Sequence, residues 1–394
     1  MLYTSGTSGN NKVVKISGFK THFMGWSMAN LCGFSSSDIF YTPLPLFHGN
    51  GGGMCLGQML WRGSTVVIRD KFSASKFWLD VSAHKATVIN YIGEIGSYLL
   101  AHPERPEERS HDVNFAIGNG LSQSVWSKMK SRFGIKRIVE FYASTEGNCN
   151  LVNSEGHLGA CGFIPGGLAK RFFPVNLIKC DPQTMEPERT SEGLCKLVEP
   201  GEVGQIVGKI RNDYLSRFEG YSDGDASRSK IINDVFRQGD AAFISGDLLR
   251  IDENGWCYFV QRVADCYRIN GENISSTMIE DHMNKLLNFK YTVASTFTEI
   301  DKRTFGVLVM KFDLAQVAEK DLEKKTMEIA EVISKLPKYA RPTYVRLTDD
   351  IPITPTMKVQ KFALQKRGVD PYKDDIVLKY SSKTQKLTTF ISSK

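Results

Sequence analysis

Over the first two hundred residues, short β-branched runs alternate with stretches of helical periodicity, and that alternation leaves few folds open to the chain. "STVVI" (Ser64 to Ile68), "ATVIN" (Ala86 to Asn90) and "RIVEFY" (Arg137 to Tyr142) are strand-like, and "SQSVWSKMKSRFG" (Ser122 to Gly134) spaces its apolar residues as a helix does. Strands separated by helices join into a mostly parallel sheet, because a parallel crossover needs the length that a helix supplies. From Gly201 to Arg262 short strands crowd together between Gly- and Asp-containing turns, the pattern of an antiparallel unit. After Arg262 come a helix (Ser275 to Leu287), a strand (Phe305 to Phe312) and a charged helix (Ala318 to Leu336), which fit a small α+β domain. The expected architecture is α/β: residues 1–200 form the α/β part of a large domain and 201–263 its β subdomain. Residues 264–373 form a C-terminal α+β domain, and the Lys/Ser-rich stretch 374–394 a frayed tail.

Charge and cysteine usage narrow the function classes. Lys and Arg number 50 against 43 Asp and Glu, a formal net charge of +7. That is too modest and too mixed for a nucleic-acid footprint, and it points to anionic small molecules or a membrane surface. The 8 cysteines are scattered without a C-x-x-C pair or a His cluster at ligand spacing, which argues against zinc and against a disulfide scaffold. No run of about 18 apolar residues appears, so no transmembrane segment is expected in this chain, nor do the first residues carry a signal pattern.

The opening "YTSGTSGNNK" raises the question of a phosphate loop. It fails the G-x-x-x-x-G-K-[ST] pattern, because Asn11 precedes Lys12 and Val13 follows it. What remains is a backbone able to close around an anion at Gly6 and Gly9, hydroxyls on Thr4, Ser5, Thr7 and Ser8, and the Lys12 charge. Alone, it reads equally well as a solvated Ser/Gly turn. Further stretches follow in order. "PLFHGNGGG" carries His48, which alone reads as a packed loop histidine; "FAIGNGLS" flanks Asn119 with Gly118 and Gly120 after an apolar run. "EFYASTEGN" sets Thr145 and Glu146 at the carboxyl end of a strand, where open α/β sheets bind ligands. "SGDLLRID" places Asp247 between two β segments, and "QRVADCYRINGENIS" supplies Arg262, Asp265 and Gly271.

In this order the stretches resemble the adenylate-forming superfamily of acyl-CoA synthetases, adenylation domains and luciferases. "YASTEGN", "IGNGLSQSVW", "FEGYSDGDASRSKI" and "YRINGENISSTMIE" resemble its fatty acid transport protein and very-long-chain acyl-CoA synthetase branch. The resemblance runs from Leu2 to about Asp370. It implies an amino-terminal portion, with a membrane-associated segment, ahead of the opening loop, and hence a large domain truncated at its start, with missing strands and exposed sheet edges.

The resemblance also implies a reaction: a long-chain or very-long-chain fatty acid attacks the α-phosphate of ATP, pyrophosphate leaves, and coenzyme A displaces AMP. Charge control matters more there than acid–base power. Thr4 to Lys12 would hold the departing phosphates, Glu146 would bind Mg²⁺, and Thr145 would lie beside the α-phosphate. Gly118, Asn119, Gly120 and Tyr142 would frame adenine, and Asp247 and Arg262 would hold the ribose. Lys358, in "TPTMKVQK", would be the catalytic lysine, with Lys361 about one helical turn further on. Ala264 would mark the hinge, Gly271 would line the coenzyme A channel, and Glu280 would be a structural carboxylate. His48, Leu46, Phe47, Met54 and Leu56 would face the acyl chain. Peripheral attachment to the cytosolic face of the endoplasmic reticulum or plasma membrane is implied by the resemblance alone. A fatty acid carrier and a catalytically silent form remain as alternatives, and the sequence fixes no oligomeric state.

Overall fold

The computed structural model describes residues 2–5, 11–182, 184–288, 291–314, 319–354, 357–370 and 372–390. The chain divides into two compact units between Val260 and Gln261. In the first unit a hairpin of β1 (Leu2–Ser5) and β2 (Asn11–Val14) precedes a sheet of β3 (Ile39–Thr42), β4 (Thr65–Ile68), β5 (Val88–Ile92), β6 (Phe115–Asn119), β7 (Arg137–Ala143) and β8 (Asn150–Asn153). Their order is β4-β3-β5-β6-β7-β8, with only the β7–β8 pair antiparallel. The α/β reading is therefore correct. The helix expected from Ser122 spans Gln123–Phe133; Ser122 accepts from the Val125 N–H at its start, and Gly134, at φ 70, closes it.

Strand order reverses between β3 and β5, since β4 lies on one side of β3 and all later strands lie on the other. Such a switch point opens a crevice at the carboxyl ends of the strands. Central strands there are mostly apolar; Val88, Ile89, Tyr91, Ala116, Ile117, Ile138 and Val139 are at most 1% exposed, as a sheet covered on both faces requires. The buried polar residues Thr42 and Asn90 interrupt this pattern at the switch point itself.

A second sheet follows the order β10-β11-β13-β14-β9, with β12 also paired to β13. Its strands are β9 (Gly162–Phe163), β10 (Val175–Ile178), β11 (Val203–Lys209), β12 (Ile231–Asn233), β13 (Ala241–Ile251) and β14 (Trp256–Arg262). The antiparallel region thus reaches upstream of residue 201, where it was expected to begin. Val175 and Leu177 pack with Ile206 in one core cluster and Ile178 with Val207 in another, which ties β10 to β11 on both faces of the sheet.

The second unit starts with a hairpin of β15 (Cys266–Ile269) and β16 (Glu272–Ser275), then holds a sheet in the order β17-β18-β19-β20-β21. These are Val293–Ile300, Arg303–Lys311, Tyr344–Thr348, Ile376–Ser381 and Lys386–Thr389. Helices Ser276–Leu286 and Glu319–Ser334 supply Ile279, Met283, Ile329 and Ile333 to a core with Leu308 and Met310. The tail expected from residue 374 is instead two strands of this sheet. Val377, Leu378 and Tyr380 are buried while Lys379 points outward, so its lysine-rich composition marks the outer face and edge of a sheet.

Candidate active site

Gly6, Thr7, Ser8 and Gly9 of the opening loop lie outside the described residues. Thr4 and Ser5 are positions of β1, opposite Lys12 and Asn11 of β2. Strand β2 docks on residues 220–222: the Lys15 N–H donates to the Gly220 carbonyl (3.1 Å), and the Ser222 N–H to that of Val13 (2.8 Å). Lys12 Nζ consequently lies 5.2 Å from the centre of the Tyr221 ring, whose hydroxyl hydrogen-bonds Glu146. Burial, then the Glu146 charge, raises the Tyr221 pKa, so the phenol stays a donor. The expected phosphate-side cation and the expected Mg²⁺ carboxylate thus share one tyrosine.

Lys20, which sequence reasoning missed, adds a second cation here. It enters from the helix Gly18–Cys32, where Ser17 caps the first turn and the Ser17 N–H donates to Glu219 (2.8 Å). Lys20 Nζ donates to the Gly147 carbonyl at 3.0 Å, beside Glu146. Burial lowers its pKa, with Glu219 and Glu146 acting the other way. Among the described residues no group of three or more His, Cys, Asp or Glu gathers at one point. A single half-buried carboxylate such as Glu146 suits Mg²⁺, which takes one or two carboxylates and completes its shell with water and phosphate oxygens.

Where the base is expected, β6 ends on Gly118 and Asn119, and Gly120 follows. A Cβ on Gly118 would stand 2.2 Å from the Tyr91 carbonyl oxygen, so β5 and this loop approach backbone to backbone. Gly118→Ala is expected to destabilise the fold by about 1–3 kcal/mol through forced separation of those strands, read as a fall in the urea midpoint.

Tyr142, near the end of β7, is buried, and its hydroxyl donates to Asp247 Oδ2 at 2.6 Å. Burial, then the neighbouring Asp247 charge, lifts its pKa well above the ordinary phenol value. Asp247 does not lie between two strands as expected but inside β13. The register with β11 shifts between Gln205 and Val207, so Ser245, Gly246 and Asp247 bulge out, Gly246 taking φ +86. A bulge re-aims a side chain that regular alternation would send elsewhere, and the glycine inside a strand-like run was its signal.

A buried polar chain occupies the switch point. The Thr42 hydroxyl donates to Asn90 Oδ1 (2.9 Å), Asn90 Nδ2 to Asn50 Oδ1 (2.7 Å), and Asn50 Nδ2 to the Tyr91 carbonyl (3.0 Å) and Asn119 Oδ1 (3.2 Å). Asn50 belongs to the π-helical segment Gly49–Leu56, a wide turn that follows half-buried His48. Sequence reasoning found Asn119 but not Thr42, Asn50 or Asn90. Met54, expected on the acyl side, is 7% exposed in a core cluster with Met28, Phe40 and Ile117, whereas Leu46 and Phe47 are exposed. Within this expected acyl set, burial thus differs from residue to residue.

The remaining expected residues belong to the second unit. Arg262 ends β14, and Ala264 lies exposed in a 3-10 turn, Val263–Asp265. Gly271 and Asn270, at φ 88 and 51, form the two-residue turn of the β15–β16 hairpin, a role that requires positive φ at both positions. Lys361 Nζ lies 2.9 Å from Glu280 and 4.0 Å from Asp265. Burial works against its charge, and the two carboxylates outweigh that and raise its pKa. Lys358 lies half-buried on a short turn, where its carbonyl accepts from the Thr354 N–H (2.8 Å) and its own N–H donates to Thr354 Oγ1 (3.1 Å).

Comparison with known proteins bears on both units. Residues 1–216 match the family described as AMP-binding enzyme. Long-chain fatty acid transport protein 1 of Mus musculus is 40% identical over 384 residues, covering 94% of this chain and 56% of that protein. Long-chain fatty acid transport protein 2 of Rattus norvegicus is 38% identical over 371 residues, covering 94% and 58%. The chain therefore spans a little over half the length of these relatives. Among solved structures, ATP-bound MatB from Rhodopseudomonas palustris superposes with a TM-score of 0.69 at 23% identity, covering 95% of this chain and 68% of that one. The o-succinylbenzoate CoA synthetase of Bacillus subtilis, in complex with its acyl-adenylate intermediate, gives 0.65 at 22% identity, covering 92% and 68%. These two share the fold. With a family match across more than half of its length, this chain belongs to the AMP-binding enzymes.

Proposed function

We propose that the chain carries the nucleotide- and thiol-handling part of an ATP-dependent acid–thiol ligase. Its substrate is a long-chain or very-long-chain fatty acid, activated as the acyl-adenylate and passed to coenzyme A. The observation that carries this reading is the Tyr142–Asp247 hydrogen bond at the carboxyl end of β7, which sets an aromatic ring and an acceptor carboxylate side by side. Purine stacking and a bidentate hold on two ribose hydroxyls ask for that pair of groups. Gly118 to Gly120 offer backbone to the base edge. Lys12 and Lys20, both near Glu146 through Tyr221 and Gly147, are assigned to the departing β- and γ-phosphates, and Thr145 precedes Glu146 in the chain. Mg²⁺ held by Glu146 would supply charge neutralisation for those phosphates. Arg262 is assigned to the ribose, Gly271 to coenzyme A binding, Ala264 to the hinge, and Lys358 to charge stabilisation during adenylation.

The acid substrate comes from the names of the relatives, which are long-chain fatty acid transport proteins. The same names favour a second reading, a fatty acid carrier at a membrane. No helix of the described residues is long and apolar enough to cross a membrane. Pyrophosphate release from Mg-ATP with hexadecanoate separates the two. The ligase reading expects release dependent on fatty acid, and Asp247→Ala should raise the KM for ATP by about ten- to hundredfold through loss of a charged hydrogen-bond acceptor. Fatty acid binding indifferent to ATP, with no pyrophosphate formed, would leave the carrier reading standing.

A further inference from the structure

Glu140 is the carboxylate in "RIVEFYA", with apolar Val139 and Phe141 on either side, and it is 3% exposed. Its carboxyl group accepts three hydrogen bonds. Oε1 takes the Tyr91 hydroxyl (2.8 Å) and the Leu121 N–H (3.0 Å), and Oε2 takes the Gly120 N–H (3.0 Å). The two N–H groups can only donate, whereas the Tyr91 hydroxyl, which also lies 3.3 Å from the Val139 carbonyl, can donate or accept; the ionised carboxylate is the stronger acceptor for the two loop N–H groups. Two of the donors are backbone groups of the loop that continues from Gly118 and Asn119. The third belongs to Tyr91, whose carbonyl packs against Gly118 and accepts from Asn50. The loop is thus pinned at its backbone by Glu140 and at the Asn119 side chain by Asn50.

We propose that Glu140 is the positioning residue of the base-binding loop, holding the Gly120 and Leu121 N–H groups so that Gly118 to Gly120 present a fixed backbone surface to the nucleotide. The inference rests on the ATP-binding reading above. It adds that nucleotide affinity depends on a group that does not touch the nucleotide. Protonation replaces a charged acceptor by a neutral one whose hydroxyl can turn to the Tyr91 oxygen, and the two loop N–H groups are then held less strongly.

Burial pushes the Glu140 carboxyl up to about 8, with the Leu121, Tyr91 and Gly120 donors pulling the other way. The other titratable groups that face it are the Tyr91 phenol and the Cys161 thiol. Burial first, and then neighbouring charge including Glu140, raises both well above their ordinary values, so both stay neutral through the range where Glu140 titrates. ATP affinity should therefore strengthen as pH rises through about 8. The sign for stability is opposite: the folded-state value lies above the ordinary 4.5, so the folded chain binds the extra proton. Stability falls as pH rises between those two values and levels off above.

The test is ATP binding by titration calorimetry across about pH 7 to 9.5, on the full chain and on Glu140→Gln, with a thermal melt at each pH. The carboxamide keeps the shape, cannot titrate and lacks one acceptor. It should bind ATP about tenfold more weakly at the alkaline end and show no inflection, in affinity or in melting temperature. Tyr91→Phe removes one donor and keeps both loop contacts, so its inflection should move to higher pH; it serves as the variant if Glu140→Gln does not fold. Equal pH profiles in the unaltered chain and Glu140→Gln, or an unmoved inflection in Tyr91→Phe, would overturn the proposal. No ATP binding by the unaltered chain at any pH would overturn the ATP-binding reading itself, and the loop's role with it.

Discussion

Replacing Lys358 with alanine is expected to lower fatty-acid-dependent pyrophosphate release by about 10²–10³-fold, the cost of one charge-stabilising donor, while leaving the melting temperature in place. Lys361→Ala should do the reverse. Its ammonium lies between Glu280 and Asp265, and Glu280 also accepts the Ser295 N–H (2.7 Å), so this lysine is committed to holding the second unit together. Its removal leaves carboxylates without their cation and should cost about 1–3 kcal/mol of stability, with a much smaller loss of turnover per folded molecule. Turnover and melting temperature measured on both variants decide the assignment. A large catalytic loss in Lys361→Ala with normal stability would exchange the two roles.

The largest stability effect is expected at Arg346. Its side chain and that of Asp375 are each 1% exposed, 2.6 Å apart, and the guanidinium also donates to the carbonyls of Arg367, Gly368 and Asp370. It fastens β19 to the segment that follows the helix Lys361–Arg367. Asp375→Ala leaves a buried guanidinium short of its counter-charge and should destabilise the second unit by about 3–5 kcal/mol in urea denaturation. Asp375 Oδ1 is buried with no hydrogen-bond partner, so the pair is incompletely satisfied. Arg346→Met combined with Asp375→Leu is therefore expected to recover much of the loss. A double variant as unstable as the single one would mean that the three carbonyl contacts, rather than the ion pair, hold this region.

Periodicity made the parallel sheet and the helices legible, because the buried strands are mostly apolar runs and the helix at Gln123 has both of its caps in the sequence. The site was legible only where glycine or a charge interrupts such a run, as at Gly118 and Asp247. Three kinds of residue were not. Asn50 and Asn90 act through partners distant in sequence, so their role follows from the strand order and not from any local pattern. Glu140 was read as an ordinary letter of a strand, although a lone carboxylate among apolar neighbours must find donors or lose its charge. Lys20 needed the helix Gly18–Cys32 to be placed before its reach to Gly147 could be seen. In the other direction, the tail from residue 374 was misread because lysines on an outer face look like disorder when the inward residues Val377, Leu378 and Tyr380 are not counted as a set.

The turn that carries Lys358 has one more consequence. Ile353 and Val359 bridge across it, the Met357 N–H returns to the Thr354 carbonyl (2.8 Å), and Met357 takes a positive φ of 61. Freezing a backbone costs about 1–2 kcal/mol per residue, and here that ordering takes place when the chain folds. A lysine on an open loop would have to be immobilised each time substrate arrives. The backbone of Thr354 and of Met357 to Val359 is already ordered, so the charge-stabilising role proposed for Lys358 would not carry the entropy cost of ordering that backbone at each turnover.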